Sequence, residues 1–322
     1  MSTLLNHDSA LLQRLQADDS GIRRIALLDL ADIAGEEHAP LFIAALRDPA
    51  ADVRVEAARA LETWESPEGV AALAVALADQ DEQVRAAAAQ TLSELKEPSS
   101  AAALLPHARH ALASVRAAVL RGVRELRVAA SLQPALAALD DGDATVRREA
   151  VSVLGYLKHP GAVGALTAAA TGDTASEVRR AAVGALGYAN DAAPERVLAS
   201  LLGGLGDPSW QVREEAAGTL GKLRLPDAAA PLTTALEDPY WQVRLRAARS
   251  LGRLRHAGAV PALCALLAHA IGNLRKEAAL ALGEIGDSAA LAALAAIEQD
   301  PDPEVRKAAR LAASQIRQGA AR

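Results

Sequence analysis

Ten arginines, each preceded by an apolar residue, recur along this chain: Arg23, Arg54, Arg85, Arg116, Arg147, Arg179, Arg213, Arg244, Arg275 and Arg306. The successive gaps are 31, 31, 31, 31, 32, 34, 31, 31 and 31 residues. A unit this short cannot bury both faces of its own helices. It must pack on the units before and after it, so the period dictates a stacked array rather than one closed core.

Each unit reads as two helices. The first is short, as in Pro261 to Leu267, with apolar positions at helical spacing. It ends six residues before the anchor arginine, at Asp48, Asp79, Asp141, Asp173, Asp207, Asp238 and Asp300. Proline follows directly at 49, 208, 239 and 301. Aspartate as N-cap and proline as first helical residue would start the second helix, such as Val212 to Leu223. The residues three, six and seven after each arginine are mostly Ala and Leu, a narrow seam for neighbouring units. Glycine stands eight after the arginine at 155, 187, 221, 252 and 283, where it either permits close approach or loosens the helix end. His110 and His269 replace the aspartate, so those two turns are expected to lack the usual cap. Extra residues near 190–194 read as a longer surface loop between the sixth and seventh units. Residues 1–35 and 287–322 read as capping repeats of one continuous array over 1–322.

Composition agrees. Apolar residues make up 51% of the chain but aromatic ones only 2%, so Ala and Leu do most of the packing, which suits closely spaced helices. The net charge of −6 lacks the basic footprint of a wholesale nucleic-acid binder. The single cysteine, Cys264, excludes an intramolecular disulfide and a cysteine-built metal cage. Met1 to Asp8 has no basic segment leading into an apolar one, so no secretory signal is expected. With no run of about 18 apolar residues, neither is a membrane span. A cytoplasmic location is the resulting expectation.

The pattern D-P-x-x-x-V-R-x-x-A-A-x-x-L-G-x-L, met at 207–223 and 238–254, resembles HEAT repeats, specifically the short phycobilisome-lyase-like type. The resemblance covers essentially the whole chain. It implies an all-α fold, a right-handed α-solenoid of about ten helix-turn-helix repeats of ~31 residues. It also implies a ladder in which Asp and Arg link neighbouring units, with the second helices on an inner, concave wall. Asp207, Arg213, Asp238 and Arg244 would then be structural. Deoxyhypusine hydroxylase, a relative in this repeat class, holds two irons between His-Glu pairs just after the anchor. Here those places read Val55-Glu56, Arg148-Glu149, Glu214-Glu215 and Lys276-Glu277, with no histidine, so no metal centre of that kind is expected. HEAT-like DNA glycosylases need a basic wall, and this one is mixed in sign. The bilin lyases that name the repeat share the repeat alone with this chain.

The aromatics carry the positive signal. Of seven, five fall between 156 and 241. Tyr156 and Tyr188 stand nine residues after their anchors, where the next two units have Lys222 and Arg253. Trp210 and Trp241 both stand three before theirs. Equivalent positions in stacked repeats form ridges, so a Tyr-Tyr-Lys-Arg row and a Trp-Trp step are expected, with Glu149, Glu215, Arg246 and Arg249 between them. Aromatic and arginine side chains together are what binding hot spots use. Both tyrosines are expected to be exposed, because that position is otherwise polar. The tryptophans either anchor a partner or fill space over the turns. The expected function is a non-enzymatic protein-binding scaffold, or an assembly or maturation factor, holding a protein or peptide on its concave face and needing no cofactor. The alternative is a lyase or chaperone handling a bilin, another tetrapyrrole or another cofactor of a partner protein.

Overall fold

The computed structural model describes residues 10–189 and 194–320, and among these there is no β-strand. The longer loop expected near 190–194 lies, apart from Pro194, outside the described residues. The chain divides into two compact units, Met1–Leu157 and Lys158–Arg322. Every anchor arginine sits near the start of a second helix. In the first unit these helices are Ser20–Ile33, Ala51–Ala60, Glu82–Ser93, Ala113–Arg124 and Ala144–Leu157. In the second they are Ser176–Ala185, Trp210–Leu223, Trp241–Leu254, Gly272–Ile285 and Pro303–Ala320. The first helices are shorter, and several open with a 3-10 turn, as Ala257–Ala259 leads into Val260–Leu266. Within the second unit Trp210–Leu223 packs on Trp241–Leu254, which packs on Gly272–Ile285, which packs on Pro303–Ala320. This is the helix-on-helix stacking of an α-solenoid. No described helix is long and apolar enough to cross a membrane.

The seam is made as the spacing implies. Ala216, Thr219 and Leu220 are buried in one second helix, and Ala247, Ser250 and Leu251 in the next. At Gly221, Gly252 and Gly283 the glycine eight after the anchor serves close approach. A Cβ on Gly221 would lie 2.1 Å from Ser250 Oγ and 2.7 Å from Ser250 Cα. The Ser250 hydroxyl donates to Ala217 O at 2.7 Å, tying the two helices at that crossing.

The arginines form the ladder that the resemblance implied. Arg213 donates backward through Nη1 to Asp207 O at 2.8 Å and forward through Nε and Nη2 to the Asp238 carboxylate at 2.7 and 3.1 Å. The same forward fork joins Arg23 to Asp48, Arg54 to Asp79, Arg116 to Asp141, Arg179 to Asp207 and Arg275 to Asp300. The aspartates are not N-caps, contrary to expectation. Each lies two residues upstream of the cap and accepts from that residue's amide, as Asp207 does from Ser209 and Asp238 from Tyr240, both at 2.8 Å. That is an Asx-turn with proline at its second position, where a fixed φ and a missing N–H suit the turn. The side-chain N-caps are instead Asp19, Asp81, Asp143 and Asp302, four before their anchors.

The two histidines alter the ladder differently from expectation. His110 Nδ1 accepts from the Leu112 amide and His269 Nδ1 from the Ile271 amide, both at 3.1 Å, so the turns keep their acceptor. What they lose is the carboxylate. Among the described residues Arg85 bonds only backward, to Asp79 O and Gln80 O. Arg244 turns its Nε to Asp238 O and has no acidic partner ahead. Arg244 therefore supplies half a rung, not the full Asp–Arg link that the resemblance implies. His269→Asp keeps the Asx acceptor and gives Arg244 a forked carboxylate. It is expected to stabilise the second unit by about 1–2 kcal/mol, read as a raised denaturant midpoint.

The paired carboxyls respond to acid. Burial pushes the Asp238 carboxyl up, but hydrogen bonds from Arg213 and the Tyr240 amide, with the charges of Arg213 and Arg244, hold it below its ordinary range. Asp48, Asp79 and Asp207 show the same balance, while in Asp141 and Asp300 the arginine hydrogen bond dominates outright. A depressed carboxyl contributes stability that is present above its unfolded value near about 4 and is lost as pH falls through the folded value. Circular dichroism against pH should therefore show unfolding begin only below about pH 4.

Second helices also end in a repeated way. The residue eleven after the anchor is left-handed at Arg127, Lys158, Arg224 and Arg255, each at φ 51°, and at Gly286, at φ 82°. Glycine adopts this conformation freely, whereas a side chain there costs about 1 kcal/mol.

Candidate functional site

In the second unit a cavity of about 330 Å³ opens on the face of three successive second helices. Gly184 comes from Ser176–Ala185, and Glu214, Glu215, Gly218, Thr219 and Lys222 from Trp210–Leu223. Arg246, Arg249, Ser250 and Arg253 come from Trp241–Leu254. The helical repeat explains the grouping: positions three or four apart share a face, and the neighbouring helix presents the equivalent row. Small residues leave the space. A Cβ on Gly184 would collide with the Glu215 side chain, and the Lys222 side chain lies over Gly187.

The charges in the cavity divide into paired and free. Arg246 Nε donates to Glu214 Oε1 at 3.1 Å. Arg249 grips Glu277 with two bonds of 2.7 Å, and that carboxylate holds the guanidinium protonated beyond its already high ordinary range. Glu215 lies 3.8 Å from Arg180. Lys222 and Arg253 are exposed and have no ion-pair partner among the described residues. The lining is therefore polar and mixed in sign, with its unpaired charge positive.

Of the eight residues expected to bind a partner, the structure brings four together: Lys222, Arg246, Arg249 and Arg253. Arg246 and Arg249 are already engaged across helix pairs, so they shape the wall as well as charge it. Tyr188, Trp210 and Trp241 are not part of the cavity lining. Tyr188 is half-buried, not exposed, its hydroxyl donating to His159 O at 3.3 Å, and burial pushes its phenol up. Tyr156, in the first unit, is 38% exposed, and its ring lies 5.3 and 5.5 Å from the guanidinium carbons of Arg124 and Arg127. The expected Trp-Trp step is not the pairing found. Trp210 stacks on Tyr240, with centroids 5.5 Å apart and planes 13° from parallel. Arg213 lies 5.6 Å from the same tyrosine ring. Tyr240, which has no aromatic counterpart at the equivalent position of the preceding repeat, thus joins an aromatic to the ladder at 45% exposure.

The carboxylates just after the anchors are likewise committed. Glu56 accepts from Arg24, Glu149 from Arg121 and Arg148, and Glu277 from Arg249, and all three are buried. Among the described residues no group of three or more His, Cys, Asp or Glu is placed to hold a metal ion.

A family model described as HEAT repeats matches residues 39–124, 104–187, 132–203, 165–244 and 229–314. Among curated proteins none matches the sequence. Among solved structures, an engineered protein superposes with a TM-score of 0.52 at 20% identity, over 96% of this chain and 98% of that one. The Escherichia coli protein YibA gives 0.53 at 18% identity, over 94% and 97%. The karyopherin Kap121p bound to Pho4p gives 0.68 at 14% identity, over 98% of this chain but 42% of that one. At such identities the likeness is one of fold.

Proposed function

Because the chain belongs to the HEAT-repeat family, we propose that it is a non-enzymatic protein-binding scaffold whose second-helix wall in the second unit holds a segment of a partner protein. The carrying observation is the pair Lys222 and Arg253: exposed, unpaired and lining one open cavity, beside arginines fixed in ion pairs. Fixed charges that need no rearrangement give register and selectivity to a docked segment. Tyr188, Trp210 and Trp241 extend this reading as further contact residues of the second unit, and Tyr156 is a separate candidate contact on the first. Kap121p, which shares the fold, is bound to Pho4p in one structure and to the extreme C-terminus of the phosphatase Cdc14p in another. A tetrapyrrole would ask for broad apolar walls, which this charged lining does not offer.

The test is affinity capture from the source cells with the wild-type chain and with Lys222→Glu/Arg253→Glu. The double variant is expected to lose a captured protein by at least about tenfold while keeping its helicity and melting temperature, since both side chains are exposed. Capture of the same proteins at undiminished yield would contradict the proposal.

A further inference from the structure

Resting on that scaffold reading, we infer that the bound segment is acidic, and that Arg224 and Arg255 reach it from the C-terminal ends of the two helices that supply most of the cavity lining. Arg224 follows Lys222 by two residues, and Arg255 follows Arg253 by two. All four are exposed and have no acidic partner among the described residues. Two adjacent repeats thus present two matched pairs of free cations on a chain whose net charge is −6.

The backbone makes this more than a solvated edge. Arg224 and Arg255 hold a left-handed conformation that glycine takes without strain, as Gly286 does in the following repeat. Every non-glycine residue with positive φ among the described ones is basic: Arg127, Lys158, Arg224 and Arg255. Conformation alone would favour Gly or Asn at such sites. In these four repeats the left-handed backbone and a basic side chain occur together. The occupant is a peptide rather than a polyphosphate, because the free cations come as one pair per repeat in a lining that also holds the ion-paired Glu214 and Glu215, which matches spaced acidic side chains and not an unbroken row of phosphates. Packed second helices lie about 10 Å apart. A polyproline-type segment repeats every three residues and rises about 9 Å in that length, so it returns an acidic side chain to the same side once per repeat.

The experiment titrates the full chain with a fluorescent twelve-residue peptide carrying Glu at every third position among Ala and Pro. Its Gln counterpart, its Lys counterpart and a single-stranded oligothymidylate of equal length serve as controls. The Glu peptide should bind at low salt and weaken as salt rises. Arg224→Gly/Arg255→Gly should weaken it at least tenfold while melting at or above the wild-type temperature. A cap-only role for these arginines predicts the reverse, lower melting with unchanged binding, and that result would overturn the inference. So would equal binding of the Gln peptide, or tighter binding of the oligonucleotide. If the Glu peptide does not bind while capture still depends on Lys222 and Arg253, the acidic assignment alone falls. If capture also fails, the scaffold reading falls with it.

Discussion

Arg213→Ala is expected to destabilise the second unit by about 2–4 kcal/mol, because it leaves a buried carboxylate without its counter-charge. The side chains of Arg213 and Asp238 are 13% and 9% exposed, so water replaces little of what is lost. Asp238 would retain only the amide of Tyr240 as a close donor. The backward bonds to Asp207 O and Pro208 O go as well, loosening the turn that starts the helix. Arg244→Ala is the internal control. Arg244 makes the backward contact but has no carboxylate ahead of it, so its loss should cost only about 1 kcal/mol. A double-mutant cycle of Arg213→Ala with Asp238→Ala isolates the rung, and the double variant should recover part of the stability lost by the single one. Equal losses at Arg213 and Arg244 would mean that the carboxylate fork contributes little.

Gly221→Ala is expected to cost about 2–3 kcal/mol, the range for forcing a methyl into a packed contact that cannot move aside. The added Cβ meets Ser250 Oγ at 2.1 Å, Cβ at 2.4 Å and Cα at 2.7 Å. A rotamer change clears the hydroxyl but not the backbone carbon, so the two helices must part. Gly218, one turn earlier, gives the opposite sign. Its nearest atom is Arg246 Cδ at 3.8 Å, and an alanine there should stabilise by about 0.5–1 kcal/mol through helix propensity. Chemical denaturation of the pair distinguishes close approach from simple loosening of the helix end. Two losses of similar size would contradict the contact argument.

The period made the fold legible because each unit repeats the same local chemistry. The Arg-to-Asp register, the Ala and Leu seam and the glycine position all carried over into contacts. Sequence and structure part where one residue type can serve two geometries. Asp207 precedes a helix as a cap would, but Pro208 sets a turn that places it two residues further out. His269 replaces a carboxylate with an imidazole, yet its Nδ1 accepts the equivalent amide. The candidate site was legible in part. Lys222 and Arg253 are brought together because equivalent positions on adjacent helices are neighbours. The stacking of Tyr240 on Trp210 was not legible from the spacing because it joins non-equivalent positions in the two repeats. The left-handed state of Arg224 and Arg255 had one available signal, Gly286 at the same register of the next repeat.

The central claim is that a partner segment lies on the second-helix wall between 184 and 253 and not on the first helices. Site-specific photo-crosslinking in the source cells tests it. One photo-reactive residue is placed at position 218, where a Cβ has room, and another at exposed Ala265 on a first helix of the same unit. A discrete protein adduct at 218, absent at 265 and abolished by Lys222→Glu/Arg253→Glu, is the predicted result. Adducts at both positions, or at 265 alone, would contradict the account.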